Sequence, residues 1–215
     1  MLTIDSSIPC DDQPVNQATL IGENRYLTSW ITPNNLEIQQ MYKELTQGIA
    51  DQRERIITLW NFVKDIPYTK FVKSRIQIDG KRFYQNDTWL DPAQALIAGR
   101  LNCFNKSALL TSLLRQELSP DQVFVCLTNV NVDGIDGHAV SYIRFEDDYI
   151  LETTNPGIKN PFMPASAADI YGAVAWFNDK QVSYVPGTRL REPLGLCCIG
   201  WLEQYINERL CTEYI

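Results

Sequence analysis

One stretch limits the folds open to this chain more than any other. From about Cys103 to Glu117, Ala108, Leu109, Leu110, Leu113 and Leu114 recur at helical spacing and form a stripe broad enough to demand substantial burial. Such a helix needs partners. After Ser119-Pro120-Asp121 the period changes from helical to extended, and Val123-Phe124-Val125-Cys126-Leu127 reads as an interior strand. A buried helix followed by a sheet predicts an α+β domain, with the Cys-bearing helix packed on an antiparallel sheet.

The flanking elements follow from the same patterns. Residues 1–35 read as an irregular lead-in punctuated by Pro9, Pro14, Gly22 and Pro33, with a strand over Arg25 to Ile31. Residues 36–215 read as the domain proper. Leu36, Ile38, Met41, Tyr42, Leu45 and Ile49 give a first helix ending near Gly48, and Ile56, Leu59, Trp60 and Val63 a second from Asp51 to Lys64, halted at Asp65-Ile66-Pro67. Asp79-Gly80 suits a small hairpin, and Asp91-Pro92 caps a short helix through Ala98 that Gly99 ends. Asn131 to Gly137 reads as a polar turn. His138 then opens a strand through Phe145, Glu146-Asp147-Asp148 turns it, and Tyr149 to Thr153 returns as its antiparallel partner. Ala173 to Tyr184 adds strands, and Ile199 to Leu210 reads as a closing amphipathic helix.

Composition narrows the function classes. The 215 residues are 45% hydrophobic, and 19 basic against 26 acidic side chains leave a net charge of −7, which repels a phosphate backbone. Nucleic acid is therefore not an expected partner. No apolar run reaches the roughly 18–20 residues that cross a bilayer, and the first residues show no secretory pattern, so a cytoplasmic protein without membrane contact is expected. In that setting the six cysteines, at 10, 103, 126, 197, 198 and 211, are expected to be thiols. Their spacing fits no common zinc site, so neither a metal nor another cofactor is expected. Cys126 and Cys10 read as inert, Cys197-Cys198 as core, Trp60, Trp176 and Trp201 as packing residues, and Glu146-Asp147-Asp148 as a solvated turn.

Three residues carry the chemistry. Cys103 opens the buried helix, where unpaired N–H groups and the helix dipole favour a thiolate. His138, the chain's single histidine, can take the thiol proton and return it to a leaving amine, and a carboxylate such as Glu152 can fix the ring's tautomer. With a three-residue turn at 146–148, Glu152 would lie opposite Tyr142, on the face of His138 but about 13 Å back along the strand. That gap keeps Asn155 as a rival orienting residue. The Cys103 backbone N–H is the first donor for an oxyanion, with Trp89, Gln94 and Asn102 as side-chain candidates and Trp89 nominated.

The order helix Cys, strand His, next-strand acid resembles the transglutaminase-like superfamily of papain-like cysteine enzymes, including the bacterial transglutaminase-like cysteine proteases. The resemblance spans residues 60–155, with 156–215 as a C-terminal extension. Its carriers are Trp60-Asn61-Phe62-Val63, Tyr68, Trp89-Leu90-Asp91-Pro92, Gly99-Arg100-Leu101-Asn102-Cys103, Gly137-His138-Ala139 and Leu151-Glu152-Thr153. The family usually has an acidic residue where this chain has Asn102, and Asp where it has Glu152. The resemblance implies a papain-like core and a thiol-dependent hydrolase or acyl transferase working through an acyl-enzyme. Its partners would be a peptide or protein substrate and, for transfer, an amine acceptor; oligomeric state is left open. The alternative is a catalytically inactive transglutaminase-like protein-binding module, a reading that Asn102 and Glu152 motivate.

Overall fold

Helix α4, Cys103–Leu114, organises the computed structural model of the chain, which describes residues 2–4, 27–69, 74–78, 81–85, 89–131, 135–165, 171–184 and 210–212. Every residue of α4 after Cys103 is buried, Asn105, Lys106, Ser107, Thr111 and Ser112 among them. Leu109, Leu110, Leu113 and Leu114 are wholly enclosed, and each such burial stabilises by roughly 2 kcal/mol. The helix stops three residues short of the expected Glu117. Gln116 and Glu117 donate instead to the carbonyls of Leu113 and Leu114, the i−3 bonds of a tightened last turn.

On one side α4 meets three helices whose starts the sequence dictates. Asn35 caps α1, Leu36–Thr46, through its Oδ1 with the N–H groups of Glu37 and Ile38, and Gly48 follows the helix at φ 79°. Asp51 caps α2, Gln52–Asp65, by accepting from Glu54 N at 2.8 Å. Pro92 opens α3, Pro92–Ile97. Their apolar faces, with Ile38, Ile56, Leu59, Trp60, Val63 and Ala95, close over the leucines of α4.

The other side of α4 lies on a six-stranded antiparallel sheet. Its strands are β4 (Val123–Asn131), β5 (Ile135–Phe145), β6 (Asp147–Leu151), β7 (Met163–Pro164), β8 (Tyr171–Phe177) and β9 (Val182–Tyr184), in the order β7-β6-β5-β4-β8-β9. Phe104 and Ala108 of α4 meet Val125, Ala139 and Phe177 of the sheet, with Trp30 and Ile31 closing the cluster. Cys126, Val140, Tyr142 and Ile150 pack together as a separate group. A second antiparallel sheet joins β1 (Leu2–Ile4), β2 (Ser74–Ile78), β3 (Lys81–Gln85) and β10 (Leu210–Thr212); β2 and β3 pair up to Ile78↔Lys81, while Asp79-Gly80, where a hairpin turn is expected, lies outside the described residues. Among the described residues no helix is long and apolar enough to cross a membrane.

Several expectations change. Leu27–Trp30 is a 3-10 turn, not part of a strand over Arg25 to Ile31: Ile31 N donates back to Thr28 O at 3.4 Å, the i−3 bond of a tight helical turn. Within 1–35, Leu2–Ile4 is a strand rather than irregular chain. Asn131 and Ile135 to Gly137, expected in a polar turn, are strand residues instead: backbone pairing runs on to Asn131↔Ile135, so His138 lies inside β5 instead of opening it. The three-residue turn expected at 146–148 is a single residue. Phe145 pairs with Asp147, leaving Glu146 alone at φ 62°, a left-handed conformation in which its carboxylate meets Arg53 Nη1 at 2.9 Å. Of the expected closing helix, 199–209 lie outside the described residues, and Leu210 begins a strand. Cys10, Cys197, Cys198 and Trp201 also lie outside them; Cys103 and Cys126, which are described, are free thiols.

Candidate active site

Asn102 sets where α4 begins. Its backbone is extended at φ −83° and ψ 179°, and its Oδ1 accepts from Asn105 N at 2.9 Å, so Cys103 falls in the first turn with its N–H among those a helix leaves unpaired. The approach is also fixed. Leu101 N donates to Pro67 O at 2.9 Å and Thr69 N to Leu101 O at 3.0 Å, a short parallel bridge that lays residues 67–69 beside the chain entering the helix. Asn105 Oδ1 accepts from Leu90 N at 2.7 Å, which brings Trp89 to the same end. There the indole stacks flat on Phe104, centroids 3.6 Å apart, while Trp30 meets both rings edge-on.

Small polar residues register the helix against β5. Ser107 Oγ donates to Ala139 O at 2.9 Å, and Thr111 Oγ1 lies 3.2 Å from Ser141 Oγ. Four residues of helix rise about 6 Å and two residues of strand about 6.6 Å, so helix and strand advance in step. Stepping back once more, from 107 to 103 and from 139 to 137, carries Cys103 to the neighbourhood of His138. The thiol stands near enough to the His138 imidazole to help hold its pKa up.

The ring's Nε2 lies 2.7 Å from Glu152 Oε2, which leaves Nδ1 as the nitrogen for the thiol. The one-residue turn makes this contact reachable. Ser141 pairs with Leu151, so Glu152 follows at the level of Val140, two residues from His138 along the strand and not four. The offset falls from about 13 Å to about 6.6 Å, within reach of two side chains on a cross-strand diagonal. The longer acid therefore fits this register. Its other oxygen, Oε1, accepts from Thr154 N at 2.6 Å and Thr154 Oγ1 at 2.7 Å, and its backbone carbonyl accepts from Trp60 Nε1 at 2.8 Å.

Electrostatics follow from burial and pairing. Burial alone would pull the imidazole's pKa down, but the hydrogen bonds and charges of Cys103 and Glu152 outweigh it and hold His138 up at about 10. For Glu152, burial pushes upward, and His138 with the two Thr154 donors overcomes it to leave the carboxyl at about 2. The pair is an imidazolium and a carboxylate at neutral pH, with side chains 15% and 2% exposed.

The remaining nominated residues take other places. Asn155 is exposed, and its Oδ1 accepts from Gly157 N in a local turn. Gln94 Oε1 accepts from Asp91 N at the start of α3. Trp60 packs in the core as expected and also holds the Glu152 carbonyl. Sequence reasoning passed over Thr154 and Lys106. The signal for Thr154 was a hydroxyl two residues beyond the acid; for Lys106 it was a lysine within a helix whose neighbours demand burial. Among the described residues no group of His, Cys, Asp and Glu is arranged to hold a metal ion.

No protein-family model and no curated protein sequence matches the chain. Solved structures do. LapG from Legionella pneumophila matches with a TM-score of 0.53 at 13% identity, covering 83% of this chain and 94% of that one. The same protein after EGTA treatment matches with a TM-score of 0.53 at 13% identity, covering 81% and 95%. The chain shares its α+β fold with these structures, consistent with a papain-like core. Within it the Cys-bearing helix is central, and the sheet carries the histidine beside the helix's first turn.

Proposed function

We propose that the chain is a thiol-dependent hydrolase or acyl transferase acting on an amide or peptide carbonyl, with Cys103 as nucleophile, His138 as acid and base, and Glu152 as the orienting carboxylate. The observation that carries this reading is the single imidazole, 2.7 Å from a buried carboxylate and coupled to a thiol in the first turn of a buried helix. The chemistry follows from that order. The Cys103 sulfur, its proton already held by the His138 imidazolium, adds to the carbonyl carbon, and the C–O electron pair moves onto oxygen. The oxyanion meets the Cys103 backbone N–H; Asn102 and Trp89 are the side-chain candidates for a second donor. Collapse restores the C=O, breaks the C–N bond and sends the amine out with the proton from the imidazolium, leaving a thioester on Cys103. Water or a primary amine, giving its proton to His138, then takes the acyl group. The substrate proposed is a peptide or protein.

The test is to trap the thioester. Incubation with N-acyl amino acid p-nitrophenyl esters, followed by acid quench and mass spectrometry, should find a hydroxylamine-sensitive acyl mass on Cys103 that is lost in Cys103→Ala. No adduct on Cys103 across a panel of acyl donors, with the protein folded, would leave the inactive binding module as the better reading.

A further inference from the structure

Lys106 is the one fully enclosed cation among the described residues of α4, three positions beyond Cys103 on the same helix. Its Nζ donates to Val63 O at 2.9 Å, Lys64 O at 2.9 Å and Thr153 O at 3.3 Å. The first two are carbonyls of the last turn of α2, where a helix leaves its acceptors unpaired and its dipole is negative. The third belongs to the residue after Glu152. The same α2 supplies Trp60, whose Nε1 holds the carbonyl of Glu152 itself. Two successive carbonyls, 152 and 153, are thus pinned by two side chains, one from α2 and one from the helix that carries the thiol.

That arrangement has a cost that packing alone does not require. Burial drives the Lys106 pKa down to about 8, with Asp65 and Glu152 opposing the fall and Lys64 adding to it. A leucine or methionine would fill the same space without a desolvated charge. It would also leave the carbonyl of Thr153 without its donor, at the point where the chain leaves β6 and no ladder holds it.

We propose that Lys106 is a positioning residue: by joining the C-terminus of α2 to the Glu152–Thr153 backbone, it fixes the carboxylate against His138 and ties that placement to the helix bearing Cys103. The proposal rests on the reading of Cys103, His138 and Glu152 as one reacting group, but its test does not need turnover. His138 is the only histidine, so its imidazole C2–H titration by NMR is unambiguous.

The variants are Lys106→Met, which keeps the volume, and Lys106→Gln, which keeps N–H donors on a shorter chain. Near-UV circular dichroism checks the fold of each. Losing a nearby positive charge would by itself raise the His138 midpoint, whereas a carboxylate that drifts from the ring lowers it, so the sign separates the two roles. The expected result is a drop of at least one pH unit, a tenfold change in proton affinity, in Lys106→Met and a smaller drop in Lys106→Gln. A folded Lys106→Met with an unchanged or raised midpoint overturns the proposal. Failure of both variants to fold overturns it as well, since Lys106 would then be a structural support only. If the midpoint falls as expected while no acyl donor ever marks Cys103, the positioning stands and the enzymatic reading fails.

Discussion

Replacing Glu152 by Gln removes one charge, changes the side-chain volume little, and leaves in place the backbone carbonyl that Trp60 holds. The magnitude of the effect on His138 can be worked from the site. The ring stands at about 10 against an ordinary 6.5, a difference of 3.5 units and about 5 kcal/mol of preference for the protonated form. That preference exists in spite of burial, which acts against the charged ring, and both Cys103 and Glu152 supply it. Glu152→Gln should therefore lower the NMR midpoint of His138 by at least two units, about 3 kcal/mol. Cys103→Ala in the same background should take it below 6.5, where burial is no longer opposed. Glu152→Asp, one methylene shorter, should fall between wild type and Gln. A wild-type midpoint near 6.5, or one that Glu152→Gln leaves unmoved, would refute the reasoning, because the 2.7 Å contact would then carry no ion pair.

Further outcomes follow from the same geometry. The depressed Glu152 stabilises the fold above about pH 4.5, and that contribution, roughly 3 kcal/mol, should be lost as pH falls toward 2. The elevated His138 stabilises it below 6.5 and loses that contribution as pH rises toward 10; the two describe one contact, so urea midpoints should plateau between about pH 4.5 and 6.5 and fall on both sides, and Glu152→Gln should flatten the acid arm. Asn102→Asp keeps an acceptor for Asn105 N and should leave Tm nearly unchanged, whereas Asn102→Ala removes the cap and should cost about 1 kcal/mol or more in thermal or urea unfolding. Ser107→Leu, placed where the helix lies against Ala139, should destabilise by about 1–3 kcal/mol and slow any Cys103 reaction by displacing the helix from β5.

The parts of this architecture that were legible beforehand were those set by local pattern. Asn35, Asp51 and Asp91-Pro92 announce their helices, and the leucines of α4 demand enclosure whatever encloses them. Cys103, His138 and Glu152 could be named because each has a residue type and an element position suited to one role. Register was not legible. A turn of one residue or three after Phe145 depends on whether Glu146 accepts a left-handed backbone and whether Asp147 and Asp148 join the ladder, and polar residues are silent on both. The same silence hid the extension of β4 and β5 through Asn131 and Ile135, since backbone pairing proceeds regardless of side-chain polarity. Lys106 and Thr154 escaped notice for a different reason. Their work is to satisfy particular carbonyls and oxygens that only the assembled fold brings near, and a lysine inside an apolar helix signals burial without naming its partners.

The proposed chemistry requires Cys103 and His138 to work as a pair, and alkylation tests that pair without a substrate. Iodoacetamide should modify Cys103 of the folded protein at pH 6, followed by intact mass and peptide mapping, at a rate that falls at least tenfold in His138→Ala and several-fold in Glu152→Gln. Equal rates in wild type and a correctly folded His138→Ala would mean that the imidazole does nothing for the sulfur, and the proposed chemistry would have no basis.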